Sequence, residues 1–360
     1  MRKTQVALAA LAMVASTAAL AEVKISGVMD VGVGTTSKDS AGRGGMYTSN
    51  GAFIDHSSIE LDASEDLGSG MKAYVSLGMG FDPVGRSDNP GSGNGLFNRQ
   101  SLIGLSGEFG SIQLGKQLSP FILSQVLIQN YSGMFGVSRM WLNGFAGVAV
   151  VGDGAQNPAG GFFIPNAVQY KTNPIMGWTG TIMASTPNGT YNNTWNTTGA
   201  DSVDINKYTS YSLMGPIGPI NATAAYHKLK NTYSAWNVGG TMPLTSELTL
   251  SAGYVDSSTE TGNLYGVSAV DVASWNVGAA YALTGATTVS LQHGQNDKNG
   301  GNQKLTNIML SNALSKQTTI YATYHMGKNG IGSLDNFGSK TLANDPGSNT
   351  AFVVGVAHKF

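Results

Sequence analysis

Hydrophobic and polar residues alternate with period two along most of this chain. Val23, Ile25, Met29, Val31 and Val33 share one parity, broken by Gly27. Lys24, Ser26, Asp30, Gly32 and Gly34 share the other, with Val28 as the exception. Met71, Ala73, Val75, Leu77, Met79 and Phe81 alternate with Lys72, Tyr74, Ser76, Gly78 and Gly80, and Phe352, Val354, Val356 and Phe360 share a parity interrupted by His358. Side chains of a strand point alternately to its two faces, so each segment has one apolar face and one small or polar face. The pattern predicts about sixteen strands: 23–35, 53–65, 71–82, 98–107, 110–117, 167–173, 177–184, 205–214, 217–229, 234–242, 248–257, 273–283, 286–294, 304–314, 318–326 and 350–360. Tight turns, such as Gly107–Gly110 and Gly215–Pro216, alternate with longer Gly/Ser/Asn/Asp-rich connections at 37–52, 83–97, 118–166, 185–204, 258–272, 295–303 and 327–349.

Two all-β architectures fit alternation of this kind. A soluble sandwich buries its apolar face, whereas a membrane barrel turns that face to lipid and keeps a polar lumen. An even strand number, short turns at one rim and long loops at the other favour the barrel. Aromatic residues near strand ends (Tyr226, Trp236, Tyr254, Tyr281, Tyr324, Phe360) suit the two membrane interfaces. Lipid offers no partner to an unpaired backbone edge, so the sheet must close, and about sixteen strands enclose a water-filled channel. The predicted fold is an all-β, 16-stranded antiparallel transmembrane β-barrel with short periplasmic turns and long extracellular loops.

Composition narrows the function. Only 11% of the 360 residues are charged, and Gly contributes 49. A net charge of −1 gives no basic excess for nucleic acid. No ~20-residue apolar run follows residue 21, which excludes a helical membrane bundle. Arg2 and Lys3, the apolar stretch Val6–Val14 and the small-residue motif Ala19-Leu20-Ala21 read as a secretory signal peptide over 1–21, leaving 22–360 as the barrel domain. Removing Arg2 and Lys3 leaves 18 bases against 21 acids, a net charge of −3. With no Cys, neither disulfides nor thiolate metal sites are available.

Several segments resemble the Gram-negative general porin family of β-proteobacterial type. Ser64-Glu65-Asp66-Leu67-Gly68-Ser69-Gly70-Met71-Lys72-Ala73 is similar to the family's first periplasmic turn, and Leu96 to Gln117 to its fourth and fifth strands. A C-terminal strand ending in Phe360 is similar to its assembly signal. The resemblance implies an outer-membrane homotrimer amid lipid and lipopolysaccharide, with the third long loop, 118–166, folded into each lumen as a constriction. It implies passive diffusion of small hydrophilic solutes and ions. The chain departs from the family at Ser58 and Asp62, where Arg often lines an anion-favouring wall.

Selectivity is then set by pore width and by charge at the narrowest point. By parity the lumen candidates are Lys24, Asp30, Glu60, Asp62, Lys72 and Arg99, faced by Arg139 and Asp153 from the loop. Their near balance of sign predicts weak ion selectivity. Lys116 shares the parity of Ile112 and Leu114, which places it at a rim or after a bulge. His227 and His325 fall on the lumen parity, as wetted wall residues. No metal-binding His spacing and no G-x-S-x-G elbow is present, so no catalytic, metal or cofactor-binding residue is assigned. A barrel enzyme and an adhesin-like barrel stand as alternatives.

Overall fold

The structure is a computed structural model that describes residues 22–37, 45–49, 54–55, 57–81, 83–84, 96–128, 163–185, 208–230, 233–259, 263–264, 267–268, 272–298, 304–328 and 348–360. The expected signal peptide, 1–21, lies outside them. Seventeen strand segments form one antiparallel sheet. Two of them, Gly45–Ser49 and Ser58–Gly68, pair with different halves of β1 (Glu22–Thr36) and together form one interrupted strand, β2. The barrel therefore has sixteen strands. Those that follow are β3 (Met71–Gly80), β4 (Gln100–Gly107), β5 (Gly110–Leu118), β6 (Phe163–Lys171), β7 (Thr179–Ser185) and β8 (Tyr208–Ile217). Next come β9 (Ile220–Leu229), β10 (Tyr233–Pro243), β11 (Leu248–Thr259) and β12 (Val272–Ala282). The last four are β13 (Thr287–Lys298), β14 (Lys304–Ala313), β15 (Thr318–Lys328) and β16 (Ser348–Lys359).

Each strand pairs with the next, and β16 returns to β1 in register from Val28↔Lys359 to Thr36↔Ala351. The Gly27 and Phe360 backbones complete the closure, with N–H to carbonyl distances of 2.9 and 3.0 Å. Closure also explains why Gly27 interrupts the apolar parity. A Cβ there would overlap the Phe360 ring and the Ser58 carbonyl, so only Gly lets the terminal aromatic lie flat on the seam.

The sheet is inside out relative to a soluble domain. Val23, Ile25, Val33, Leu114, Leu213, Val238, Leu291, Leu310 and Val354 are exposed on the outer face. Ser76, Gln117, Ser210, Asn237, Asn276, Gln292 and Thr323 are shielded on the inner one. Tyr226, Trp236, Tyr281, Tyr324 and Phe360 are exposed on the outer face, as a girdle requires. Tyr211 stacks on Tyr226, and Trp236 tilts against Tyr254 with ring centres 5.3 Å apart.

Three local readings change. The second strand, expected over 53–65, runs Ser58–Gly68 after a shorter piece at Gly45–Ser49. Between the two, Ile54, Asp55 and Ser57 leave the β1 edge and bond to Asp30 instead. The turn expected at Gly215–Pro216 falls one Gly-Pro pair later. Pro216 stays in β8 opposite Asn221, and Gly218, with φ of +55°, supplies the left-handed turn position. Finally, the start of the 118–166 connection, read as a long loop, is a helix, α1 (Pro120–Ile128). Pro120 fits a first helical position, and the Ser119 carbonyl accepts the Leu123 N–H at 3.0 Å.

Candidate functional site: the channel lumen

The inner wall divides into a charged arc and a neutral one. On the charged arc, strand pairing forms two adjacent rows: Asp62 of β2 opposite Ser76 of β3, and Glu60 of β2 opposite Gly78 of β3, which in turn faces Gln100 of β4. The Glu60 carboxylate lies 3.3 Å from the Arg99 guanidinium and accepts a hydrogen bond from Gln100 Nε2 at 3.2 Å. Gln100 Nε2 also donates to Ser76 Oγ at 2.6 Å, and Ser76 Oγ donates to Asp62 at 2.5 Å. The Arg99 guanidinium sits 5.2 Å above the centre of the Phe163 ring. Gly78 makes room for this network, because a Cβ there would overlap the Glu60 carboxylate. A second chain continues toward β6: Gln169 donates to Gln113 at 2.7 Å, and Gln113 donates to the Tyr74 hydroxyl at 2.9 Å.

The eight residues singled out from sequence divide accordingly. Glu60, Asp62 and Arg99 come together. Lys24 stands opposite Asp62 on β1, exposed, and Lys72 stands opposite Asp66 beside the Gly68–Gly70 turn, also exposed. Arg139 and Asp153 lie outside the described residues. Asp30 has the predicted parity but is fully buried. Its carboxylate accepts hydrogen bonds from the Tyr321 hydroxyl at 2.7 Å and from the Ile54 and Asp55 N–H groups at 2.9 and 3.3 Å. It pins the link between the two pieces of β2 to the wall rather than offering an open charge to the channel.

Helix α1 packs inside the barrel against β8, β9 and β10. Its partners belong to the polar parity of those strands. Ser119 Oγ lies 2.6 Å from the Tyr208 hydroxyl, and the Phe121 N–H donates to Ser210 Oγ at 3.1 Å. Ser124 Oγ donates to Asn237 Oδ1 at 2.9 Å. The Phe121 ring stacks on His227 at 3.9 Å with the planes 6° apart. His227 therefore supports the helix and is fully buried, in place of the wetted role expected. His325 is buried too, held between Asn307 and Thr323. The helix presents Val126 and Leu127 on its exposed side.

Ser76 and Gln113 carry the inward parity but no charge, so selection by charge passes over them; Gln100 is inward in β4, whereas Arg99, read as inward, has the parity of the exposed Ser101, Ile103 and Leu105. The Tyr208–His227–Phe121 knot gave no sequence signal, since its members are 19 and 87 or more positions apart. Lys116 is the extra residue of a bulge between Gly115 and Gln117, rather than the one after it, and stands opposite Ser101 on the outward face. Among the described residues, no group of three or more His, Asp or Glu side chains is arranged to hold a metal ion.

A closed sixteen-stranded barrel with a polar interior and a helix against its inner wall is the architecture of an outer-membrane diffusion pore. The family model for Gram-negative porins matches residues 7–332, and the chain belongs to that family. It is an outer-membrane, multi-pass β-barrel protein. The chain is 35% identical over 122 residues to outer membrane porin protein 32 of Delftia acidovorans, covering 33% of each chain. It is 30% identical over 150 residues to the major outer membrane protein P.IB of Neisseria gonorrhoeae, covering 41% of each. These alignments span between a third and two fifths of the curated relatives. A solved anion-selective porin from Comamonas acidovorans has the same fold, with a TM-score of 0.74 and 22% identity, covering 94% of this chain and 100% of that one.

Proposed function

We propose that the protein forms a water-filled channel for passive diffusion of small hydrophilic solutes and ions across the outer membrane, with weak ion selectivity and no covalent step. The observation that carries this reading is the inverted sheet: apolar side chains outside, hydroxyls and amides inside. Among the described residues, neither polar side-chain atom of Asn276 or of Gln292 has a hydrogen-bond partner. Buried amides of that kind need partners, and water held against the inner wall would supply them. The charged arc supports weak selectivity, because Glu60 is compensated by Arg99 and Asp30 is withdrawn from the channel. Residues 1–21 act as an export signal in this reading, with 22–360 as the barrel domain.

We further propose a homotrimer. Lys116 lies six residues above the turn at Gly110, roughly 15 Å up a tilted strand and near the middle of the apolar band. A lysine facing lipid at that depth costs about 2–4 kcal/mol. A neighbouring copy covering Ser101 and Lys116 removes that penalty.

Planar-bilayer recording tests the channel. Purified protein should add discrete conductance steps, and a salt gradient should give a reversal potential close to zero. Absence of steps sinks the pore reading; a reversal potential near the limit for one ion sinks weak selectivity.

A further inference from the structure

Between the Glu60–Arg99 pair and the short-turn rim, one inward row crosses the wall without a charge. Register sets Ser64 of β2, Tyr74 of β3, Gly104 of β4, Gln113 of β5 and Gln169 of β6 side by side in it. Tyr74 is four residues along β3 from Gly78, which stands opposite Glu60, so the row lies about 13 Å along the strand from that pair. Gly104 sets the pose of the Tyr74 ring. Of the atoms that a Cβ at Gly104 would strike, ring Cζ is the nearest, ahead of the hydroxyl oxygen and Cε2. That order requires the Cβ to lie beneath the ring plane, not beside its edge. The ring therefore lies flat across β4, with one face on Gly104 and the other toward the lumen, and Tyr74 stays partly exposed. Its tip reaches β5, where the hydroxyl accepts a hydrogen bond from Gln113 Nε2 at 2.9 Å.

Hydrogen-bonding capacity is left over along that edge. The Tyr74 hydroxyl accepts from Gln113, and its own proton has no acceptor among the described residues. An amide nitrogen carries two N–H groups, and Gln113 and Gln169 each use one within the row. Gln113 and Gln169 are also partly exposed. The surface is thus a flat apolar face bordered, at one end, by uncharged donors and acceptors. A pyranose has the matching layout, with C–H bonds on its faces and hydroxyls around its equator. An open-chain polyol has the hydroxyls without the face, an aromatic solute has the face without the hydroxyls, and an ion finds no charge in the row. We propose that Tyr74, Gln113 and Gln169 form a binding subsite for neutral sugars in their ring form, the sugar lying on Tyr74 with its hydroxyls toward the two amides. Binding at such a site must be weak, so that a solute can both enter and leave. The proposal rests on the channel reading and names a solute class for it.

Single-channel recording in a planar bilayer tests it, with cellobiose, mannitol or nicotinamide added to the same salt solution. Cellobiose should reduce the ion current saturably, whereas mannitol should lower it only in proportion to viscosity. Tyr74→Leu should raise the half-saturating cellobiose concentration about tenfold. Tyr74→Phe, which keeps the face and loses the hydroxyl, should raise it about twofold. A cellobiose effect that does not saturate, or a half-saturation unchanged in Tyr74→Leu, would overturn the subsite. Equal loss in the Leu and Phe variants would assign binding to the hydroxyl alone and refute stacking. Nicotinamide acting at lower concentration than cellobiose would give the face to aromatic solutes and refute the sugar reading. Wild-type protein without current steps sinks the channel and the subsite together; steps without cellobiose saturation sink the subsite alone. Should Tyr74→Leu fail to form channels, the contrast between cellobiose and mannitol and the twofold shift in Tyr74→Phe decide the matter.

Discussion

A carboxylate 3.3 Å from a guanidinium presents little net field to a passing ion. Each partner governs how much of the other is felt, and in a confined channel that field is stronger than on an open surface. Glu60→Gln leaves Arg99 uncompensated on the wall. The variant should shift permeability toward anions by about two- to threefold, read as reversal potential in a potassium chloride gradient. An unchanged potential would place the pair off the ion path. Parity marks Glu60 and Asp62 as inward; Arg99 has the outward parity of β4 and meets Glu60 from the residue before that strand. The same rule listed Asp30, wrongly as an open charge, because alternation tells inward from outward and does not tell wet from covered. Asp30 is covered by Tyr321, 291 positions away, and by the segment that leaves β2.

Elements show a similar division. The sixteen strands were legible because lipid on one side and water on the other impose period two on each. Helix α1 was not. Its sequence, Pro-Phe-Ile-Leu-Ser-Gln-Val-Leu-Ile, is apolar nearly all round and carries no periodic signal. Packing decides its place: Phe121, Ile122 and Ile128 are buried against the inner wall, and Ser119 and Ser124 satisfy wall hydroxyls and amides. Removing the Phe121 ring forfeits the His227 stack and, by analogy with core Phe→Ala changes, about 3–5 kcal/mol of local packing. Phe121→Ala should therefore leave a folded barrel, seen as retained heat-modifiable mobility on gels, while single-channel current becomes noisy or changes in step size. Quiet steps of unaltered size would show that α1 does not limit the passage.

For the whole molecule, the seam and the outer surface set the terms. Closure depends on Gly27 and Phe360 meeting across most of the chain's length, which strand patterning required without naming the partners. The outer surface is not uniform. Lys116 and Ser101 interrupt the apolar face on β4 and β5, and Lys304 and Lys328 crown it on β14 and β15. Lys116→Leu separates the two environments open to the first patch. In a trimer that uses this face, the substitution should lower the temperature at which the oligomer dissociates on gels. A raised temperature would mean that Lys116 faces lipid, where losing the charge stabilises the barrel.

The sequence by itself determined the fold class, the strand number and the inward or outward sense of most side chains. Each follows from a local rule, because one strand samples both solvents within two residues. Only the tertiary structure decided which inward residues stay wet, where α1 docks, that Glu60 and Arg99 pair, and that two lysines share one row. Those facts depend on register between strands and on contacts across the lumen. No local pattern encodes a distance between residues that are remote in the chain and adjacent on the wall.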